Sequence, residues 1–214
     1  MANEVRFSDL CRFTDKQRLA TATADTHRYT LFGGSRGPGK SFFVRWYLVR
    51  RLMRWAAQGH RSVRVMLACE DYPSLYERQI SKVQTEFPAW LGAYHVQRNE
   101  YRLDPAYGGG AIAFRNLDDA SKYQSAEYAG IAIDELTKNT ERTFHLLRGS
   151  LRWPGIDDVF FVGATNPAPG FVRDYWISRS FPPELEPEAE QFAFVPALPT
   201  DNPNLPQSYW AMLD

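Results

Sequence analysis

The stretch that decides the fold is Gly34-Ser35-Arg36-Gly37-Pro38-Gly39-Lys40-Ser41, which fits the pattern G-x-x-x-x-G-K-[ST]. An apolar run from Tyr29 to Phe32 leads into it, and the amphipathic stretch Lys40 to Ala57 leads out of it. In this setting glycines let successive backbone N–H groups converge on phosphate oxygens, and the N-terminus of a helix adds positive potential. We therefore predict that these eight residues bind ATP, although the pattern alone is also compatible with a glycine-rich turn that binds nothing.

The rest of the chain alternates short apolar runs with amphipathic stretches, which predicts a mainly parallel sheet flanked by helices. Tyr101 to Leu103 and Ala111 to Phe114 flank three glycines and predict a β-hairpin inserted into this parallel pattern. The fold class is therefore α/β. The other predicted strands are Val63 to Ala68, Ile131 to Ile133 and Val159 to Val162, and the other predicted helices are Ser74 to Phe87 and Glu141 to Leu151.

The composition is that of an ordinary globular chain. Of 214 residues, 44% are hydrophobic and 23% are charged, and no apolar run approaches the length that crosses a bilayer. Residues 1–60 contain eleven basic and four acidic residues, whereas residues 181–214 contain six acidic residues and no basic ones. The start, Met1 to Glu4, lacks the features of a secretory signal, and the spacing of Cys11 and Cys69 does not suggest a metal site or a disulfide framework. We expect no membrane association and two idle thiols.

A second motif, Ile131-Ala132-Ile133-Asp134-Glu135, is an apolar strand that ends in two acids. This arrangement is typical of a Walker B segment, in which Asp134 helps Ser41 to hold Mg²⁺ and Glu135 polarises the attacking water. Lys40 would reach the β- and γ-phosphates. Without the upstream loop, an Asp-Glu pair that opens a helix would be the better explanation of the same residues.

Two polar positions allow both a functional and a structural interpretation. Thr165 and Asn166 follow a predicted strand, at the sheet edge where α/β proteins bind ligands, so they are candidate sensors of the γ-phosphate; an Asn-Pro turn would explain them as well. The amide of Gln17 could bind both a donor and an acceptor on adenine. Thr14 and Gln17 also fit a capping box, which would use the same amide to begin a helix.

The order of these motifs resembles the ATPase domain of phage large terminases. The similar segments are Phe13 to Gln17, the glycine-rich loop with its arginine, Lys122 to Tyr128, Ile131 to Glu135, Ala164 to Pro167 and Asp201 to Leu205. The resemblance covers nearly the whole chain. It implies a P-loop NTPase of the additional-strand, catalytic-glutamate type, with a predicted strand, Val63 to Ala68, between the two nucleotide motifs in the chain.

The same resemblance implies an ATP-driven motor that packs double-stranded viral DNA into a procapsid. Its expected cofactors are ATP and Mg²⁺, and its expected partners are DNA, the portal protein, the small terminase subunit and other copies of the chain in a ring. The expected setting is the cytoplasm of a bacterial host, transiently at the procapsid portal. A P-loop kinase of small molecules and a nucleotide-responsive switch are the alternatives, but the Asp134-Glu135 pair favours hydrolysis over both.

Family members are argued to stabilise the transition state with an arginine of their own loop or one from a neighbouring subunit, because negative charge spreads over the γ-phosphoryl oxygens. Arg36 matches the first arrangement. Lys122, Arg148 and Arg152 are candidates for the second, although a lysine lacks the planar fork of an arginine and a solvated helix face would also explain the two arginines.

We expect one domain. Residues 1–28 are predicted to form an adenine-side segment and 29–180 the core, with 181–214 an acidic surface excursion that cannot pack, followed by a linker. The resemblance implies a nuclease domain further along, towards which Ser208 to Asp214 would lead as a helix cut short. The acids of this chain are scattered, so no nuclease site is expected in it.

Overall fold

The computed structural model describes residues 6–210, with the side chain of Trp210 outside that description, so the predictions for Met1 to Glu4 and for residues 211–214 lie outside it. A single eight-stranded sheet runs through this part of the chain in the order β3-β4-β5-β2-β6-β7-β1-β8. Its strands are β1 Tyr29–Gly34, β2 Arg64–Cys69, β3 Gly92–His95, β4 Glu100–Leu103, β5 Ala111–Asn116, β6 Gly130–Asp134, β7 Phe160–Thr165 and β8 Phe192–Ala197.

Helices cover both faces of the sheet. The α-helices are α1 Phe7–Leu10, α2 Asp15–Ala24, α3 Lys40–Ala57, α4 Tyr72–Leu75, α5 Ser81–Glu86, α6 Glu141–Arg148, α7 Phe171–Arg173 and α8 Gln207–Trp210. Two π-helical turns, Tyr76–Ile80 and Asp174–Ser178, continue α4 and α7. Short 3₁₀ turns occupy Val96–Arg98, Pro105–Tyr107, Ala120–Tyr123, Leu136–Lys138, Glu186–Gln191 and Pro199–Asp201. No helix of the described residues is long and apolar enough to cross a membrane.

The predicted α/β class and parallel sheet are confirmed, since β5, β2, β6, β7, β1 and β8 pair in parallel. The strand that lies beside both β1 and β6 is β7, whereas β2 lies on the far side of β6. β7 is therefore the additional strand between the glycine-rich loop and the acid-tipped strand. The prediction that Val63 to Ala68 is this extra strand is wrong, because β2 lies between the motifs in the chain but not in the sheet.

The predicted hairpin needs a correction. β4 and β5 are antiparallel, as expected, but β5 also pairs in parallel with β2 and so belongs to the main sheet. A turn of 3₁₀ helix at Pro105–Tyr107 connects the two strands ahead of the glycines. The antiparallel part is completed by β3, which the sequence pattern did not reveal. The antiparallel strands β3 and β4 thus extend the sheet at its edge, beyond β5.

Helix α3 fills one face of the sheet with large side chains. Phe43, Tyr47 and Trp55 are fully buried in a core that includes apolar residues of β2, β5 and β7. Arg51 is also buried, and its guanidinium lies 4.6 Å from the ring of Trp55 and donates to Asp158 at 2.6 Å. Burial of this face fixes α3, and with it the loop that precedes it, against the sheet.

The acidic segment 181–190 lies at the surface, with five of its ten residues exposed, but the prediction that it cannot pack is wrong. Leu185 is fully buried in the second core, on the other face of the sheet. Glu188 accepts a hydrogen bond from the hydroxyl of Tyr29 at 2.8 Å and forms an ion pair with Arg148. Glu188 thus ties the segment to the start of β1, and the chain continues into β8, which pairs with β1 as an edge strand.

Candidate nucleotide site

The glycine-rich loop connects β1 to α3, as predicted, and its backbone requires glycine. Gly37 and Gly39 have φ angles of 103° and 78°, in the left-handed region that other residues rarely adopt. A Cβ atom at Gly39 would also lie 2.8 Å from Nε2 of Gln17. Glycine at these positions allows the loop to turn its N–H groups towards a phosphate at the N-terminus of α3.

Lys40, the first residue of α3, is buried and bridges two elements. Its ammonium donates to the backbone carbonyl of Ser35 and, at 2.7 Å, to Oδ1 of Asn166 after β7. Burial lowers the pKa of Lys40, while the carboxylates of Glu135 and Asp134 act in the opposite direction. The side chain is thus held at the sheet edge, close to both acids.

Ser41 and Asp134 meet although they lie 93 residues apart in the chain. The Ser41 hydroxyl donates to the Asp134 carboxylate, at 3.0 Å from Oδ2 and 3.1 Å from Oδ1. Asp134 is 1% exposed, and burial raises its pKa, opposed by the charge of Arg78 and the bond from Ser41. A hydroxyl and a carboxylate are oxygen ligands of the kind that Mg²⁺ accepts alongside nucleotide phosphates, so the pair fits that ion.

Glu135 follows β6 in a left-handed conformation with a φ angle of 55°, which turns its side chain away from the strand direction. The Thr165 hydroxyl donates to Oε2 of Glu135 at 3.3 Å, and the Thr137 hydroxyl lies 2.6 Å from that of Thr165. The structure therefore brings Lys40, Ser41, Asp134, Glu135, Thr165 and Asn166 together at the carboxyl ends of β1, β6 and β7.

The amide of Gln17 is bonded within the chain at both of its ends, and its role towards adenine stays a prediction. Its Oε1 accepts from the backbone N–H of Thr14 at 3.0 Å, which completes the capping box of α2. Its Nε2 donates to the carbonyls of Gly39 at 3.2 Å and Pro38 at 3.5 Å. The amide is buried and both its ends are occupied, so the structural alternative is confirmed and Gln17 also anchors the glycine-rich loop.

The four candidate cations for the transition state differ in their exposure and in their ion pairs. Arg36 is exposed in the loop and, within residues 6–210, makes no ion pair. Arg148 is engaged by Glu188 and the hydroxyl of Tyr29, which places it at the opposite end of β1 from the loop. Arg152 pairs with Glu127 at 2.9 Å, and Lys122 lies 3.7 Å from Asp118. Of the four, Arg36 alone is placed in the nucleotide loop.

Two side chains at this site carried no local signal in the sequence. Asn202, after β8, donates to the carbonyl of Gly37 at 2.7 Å. Gln79, from the π-helical turn after α4, donates to Asp134 at 2.7 Å. A single Asn or Gln far from a motif matches no pattern, although Asn202 lies in a segment that the family resemblance had marked.

A cavity of about 470 Å³ opens beside the loop anchors. It is lined by Phe13, Thr14, Asp15, Lys16, Arg18, Thr200, Asp201 and Pro203. These residues flank Gln17 and Asn202, which both bind the loop backbone. Lys16 and Asp201 approach to 3.8 Å across it. The cavity thus lies beside two residues that anchor the loop, in the part of the chain for which the adenine side is predicted.

In this sheet a glycine-rich loop connects β1 to α3, and the acid-tipped strand β6 is separated from β1 by one strand, β7. This arrangement defines the fold of a P-loop NTPase. Comparison with solved structures refines this class. The large terminase of a thermophilic bacteriophage, in complex with ADP, aligns with a TM-score of 0.70 and 14% identity over 94% of this chain and 49% of that one. The bacteriophage HK97 large terminase aligns with a TM-score of 0.63, 7% identity and coverages of 87% and 39%.

The isolated ATPase domain of the Thermus phage P74-26 large terminase aligns with a TM-score of 0.56 and 13% identity, over 91% of this chain and 85% of that domain. The chain therefore has the fold of phage large terminase ATPase domains, as the sequence resemblance predicted, and it spans about half the length of the ADP-bound terminase. No family model and no curated protein matched the sequence.

Proposed function

We propose that this chain is the Mg²⁺-dependent ATPase motor of a large terminase, which hydrolyses ATP to drive double-stranded viral DNA into a procapsid. The observation that carries the proposal is the convergence of Lys40 and Ser41 with Asp134, Glu135 and Asn166 at one sheet edge. The terminase fold supports the choice of this motor among the proteins that share the loop.

Each residue of the site has its own role in the proposed hydrolysis of ATP. The loop N–H groups and Lys40 bind the phosphates, and Ser41 and Asp134 would hold Mg²⁺, which when bound neutralises charge on the phosphate oxygens. Glu135 accepts the proton of the attacking water, and the Thr165 hydroxyl orients its carboxylate. Arg36, exposed in the loop, stabilises the charge that spreads over the γ-phosphoryl group.

The partners are those of a packaging motor: DNA, the portal protein, the small terminase subunit and further copies of the chain in a ring. The proposed site of action is the bacterial host cytoplasm and then the procapsid portal. A kinase is disfavoured because small-molecule kinases of this loop type usually lack a paired base such as Asp134-Glu135. A switch is disfavoured because it needs no such base.

The proposal is tested by measuring phosphate release from ATP with Mg²⁺, with and without duplex DNA, beside Lys40→Ala as the inactive control. We expect slow hydrolysis that DNA stimulates and that Lys40→Ala abolishes. Phosphate transfer to a small molecule in place of water would establish the kinase alternative. Tight ATP binding with no turnover under any condition would establish the switch.

A further inference from the structure

Gln79 is a fully buried polar residue on a π-helical turn. Residues Tyr76–Ile80 form this turn, in which the N–H of Ser81 reaches the carbonyl of Tyr76, five residues back. It interrupts the helical stretch that runs from α4 into α5. A π turn accommodates one more residue than an α turn, and such turns are frequent at functional sites because they redirect a side chain. Here the redirected side chain enters the nucleotide site.

One end of the Gln79 amide is fixed by Arg45 of α3. Nη1 of Arg45 donates to Oε1 of Gln79 at 3.0 Å and to the carbonyl of Arg78 at 3.0 Å. Nε and Nη2 of the same guanidinium contact the two carboxylate oxygens of Glu86 at 2.9 and 2.6 Å. Because a guanidinium only donates, the amide oxygen must face Arg45. The amide nitrogen must therefore face the other way.

The other end of the amide meets the candidate metal ligand. Nε2 of Gln79 donates to Oδ2 of Asp134 at 2.7 Å, and the carboxylate also accepts from Ser41. A connected chain thus runs from Glu86 through Arg45 and Gln79 to Asp134. We propose that Gln79 is a positioning residue, which holds the carboxylate of Asp134 in register with Ser41 so that the pair is formed before Mg²⁺ and nucleotide arrive.

A neutral amide suits this task. A buried carboxylate needs donors, because leaving one without a hydrogen bond is costly. A lysine or arginine at the same place would supply a donor but would also repel a divalent cation. The amide supplies the donor and leaves the negative charge of Asp134 available. This inference rests on the proposed function, since it assigns Asp134 to Mg²⁺.

The experiment compares the affinity for a fluorescent ADP analogue in EDTA and in Mg²⁺, for the unsubstituted protein and for Gln79→Met, which has a similar volume but no donor. We expect the Kd in EDTA to change less than about twofold between the two proteins. The tightening by Mg²⁺, which is the ratio of the Kd in EDTA to the Kd in Mg²⁺, should fall about tenfold in the variant, the equivalent of about 1.4 kcal/mol. Ser150→Ala is the matched control, since it removes a buried polar group bonded to Tyr123 instead.

Gln79→Asn gives a second route if the methionine variant does not fold, because it keeps the amide but is too short to join Arg45 to Asp134. It should show the same selective loss. A folded Gln79 variant whose Mg²⁺ tightening equals that of the unsubstituted protein would overturn the positioning role. Absence of Mg²⁺ tightening in the unsubstituted protein would instead overturn the proposed function, and the inference with it.

Discussion

The ammonium of Lys40 lies 2.7 Å from Oδ1 of Asn166, across 126 residues of chain. The contact joins the first turn of α3 to the end of β7, the strand that separates β1 from β6. Asn166 thereby fixes the position of the cation that is to meet the β- and γ-phosphates. We predict that a change at the γ-phosphate alters this contact at the end of β7.

This relationship predicts the effect of Asn166→Ala. A hydrogen bond to a charged group contributes about 1.5–3 kcal/mol, so we expect turnover to fall by about 10- to 100-fold. Nucleotide affinity should change less than about threefold, because the charge of Lys40 remains. Steady-state hydrolysis and equilibrium binding measure the two effects. Asn204→Ala, at an exposed position, is the control. Equal losses of affinity and turnover would argue against a sensor role.

Glu135→Gln should stop hydrolysis while ATP stays bound. The amide keeps the size of the side chain and can still accept from Thr165, but it cannot take a proton from water. Loss of a general base lowers turnover by about 10²- to 10⁴-fold. Single-turnover hydrolysis and a filter-binding assay with ATP separate chemistry from binding. Glu77→Gln, which is exposed, should behave as the unsubstituted protein. Normal turnover of Glu135→Gln would remove Glu135 from catalysis.

Gln17→Ala should weaken ATP and GTP equally, because its amide is used by the capping box and the loop carbonyls and not by a base. We expect stability to fall by about 1–2 kcal/mol. Thr14→Ala removes the cap contact of the Thr14 hydroxyl and leaves both contacts of the Gln17 amide, so it serves as the control for a weakened helix cap. Chemical denaturation and competition binding measure these quantities. A selective loss of ATP would restore the adenine role.

Arg36→Ala should lower turnover with a modest effect on binding, since Arg36 is exposed in the loop and would act on the transition state. Mixing this variant with Lys40→Ala tests whether the charge comes from the same chain or a neighbour. We expect no recovery of hydrolysis in the mixture. Recovery would show that Arg36 is donated between subunits, whereas unchanged turnover of Arg36→Ala would make Lys122 and Arg152 the residues to replace.

The two cysteines should be unreactive in the folded protein. Burial raises the pKa of Cys11 to about 12 and raises that of Cys69 further, so neither is a thiolate at neutral pH. Both thiols should fail to react with a disulfide reagent at pH 8 and should react once the chain is unfolded in denaturant. Fast labelling of either thiol under native conditions would contradict the packing around it.

The sequence pattern predicted those helices and strands that are determined by residues close together in the chain. Helix α3 spans the predicted range Lys40–Ala57 because Gly39 marks its start and its apolar face is continuous. β8 was not predicted from the sequence, because Pro196 lies within it and an acidic, proline-rich segment precedes it. An edge strand tolerates such a proline. The contacts of Gln79 and Asn202 could not be predicted, because they depend on which distant segments the sheet brings together.

The position of β1 between β7 and β8 has a consequence for how the protein folds during its synthesis on the ribosome. The strand that leads into the nucleotide loop is made early, but both of its neighbours come from residues 160–197. Until those residues leave the exit tunnel, β1 has two open edges and an apolar sequence, which is a hazard for association with other nascent chains. Slow synthesis of the last third of the chain should therefore lower the yield of soluble protein more than slow synthesis of the first third.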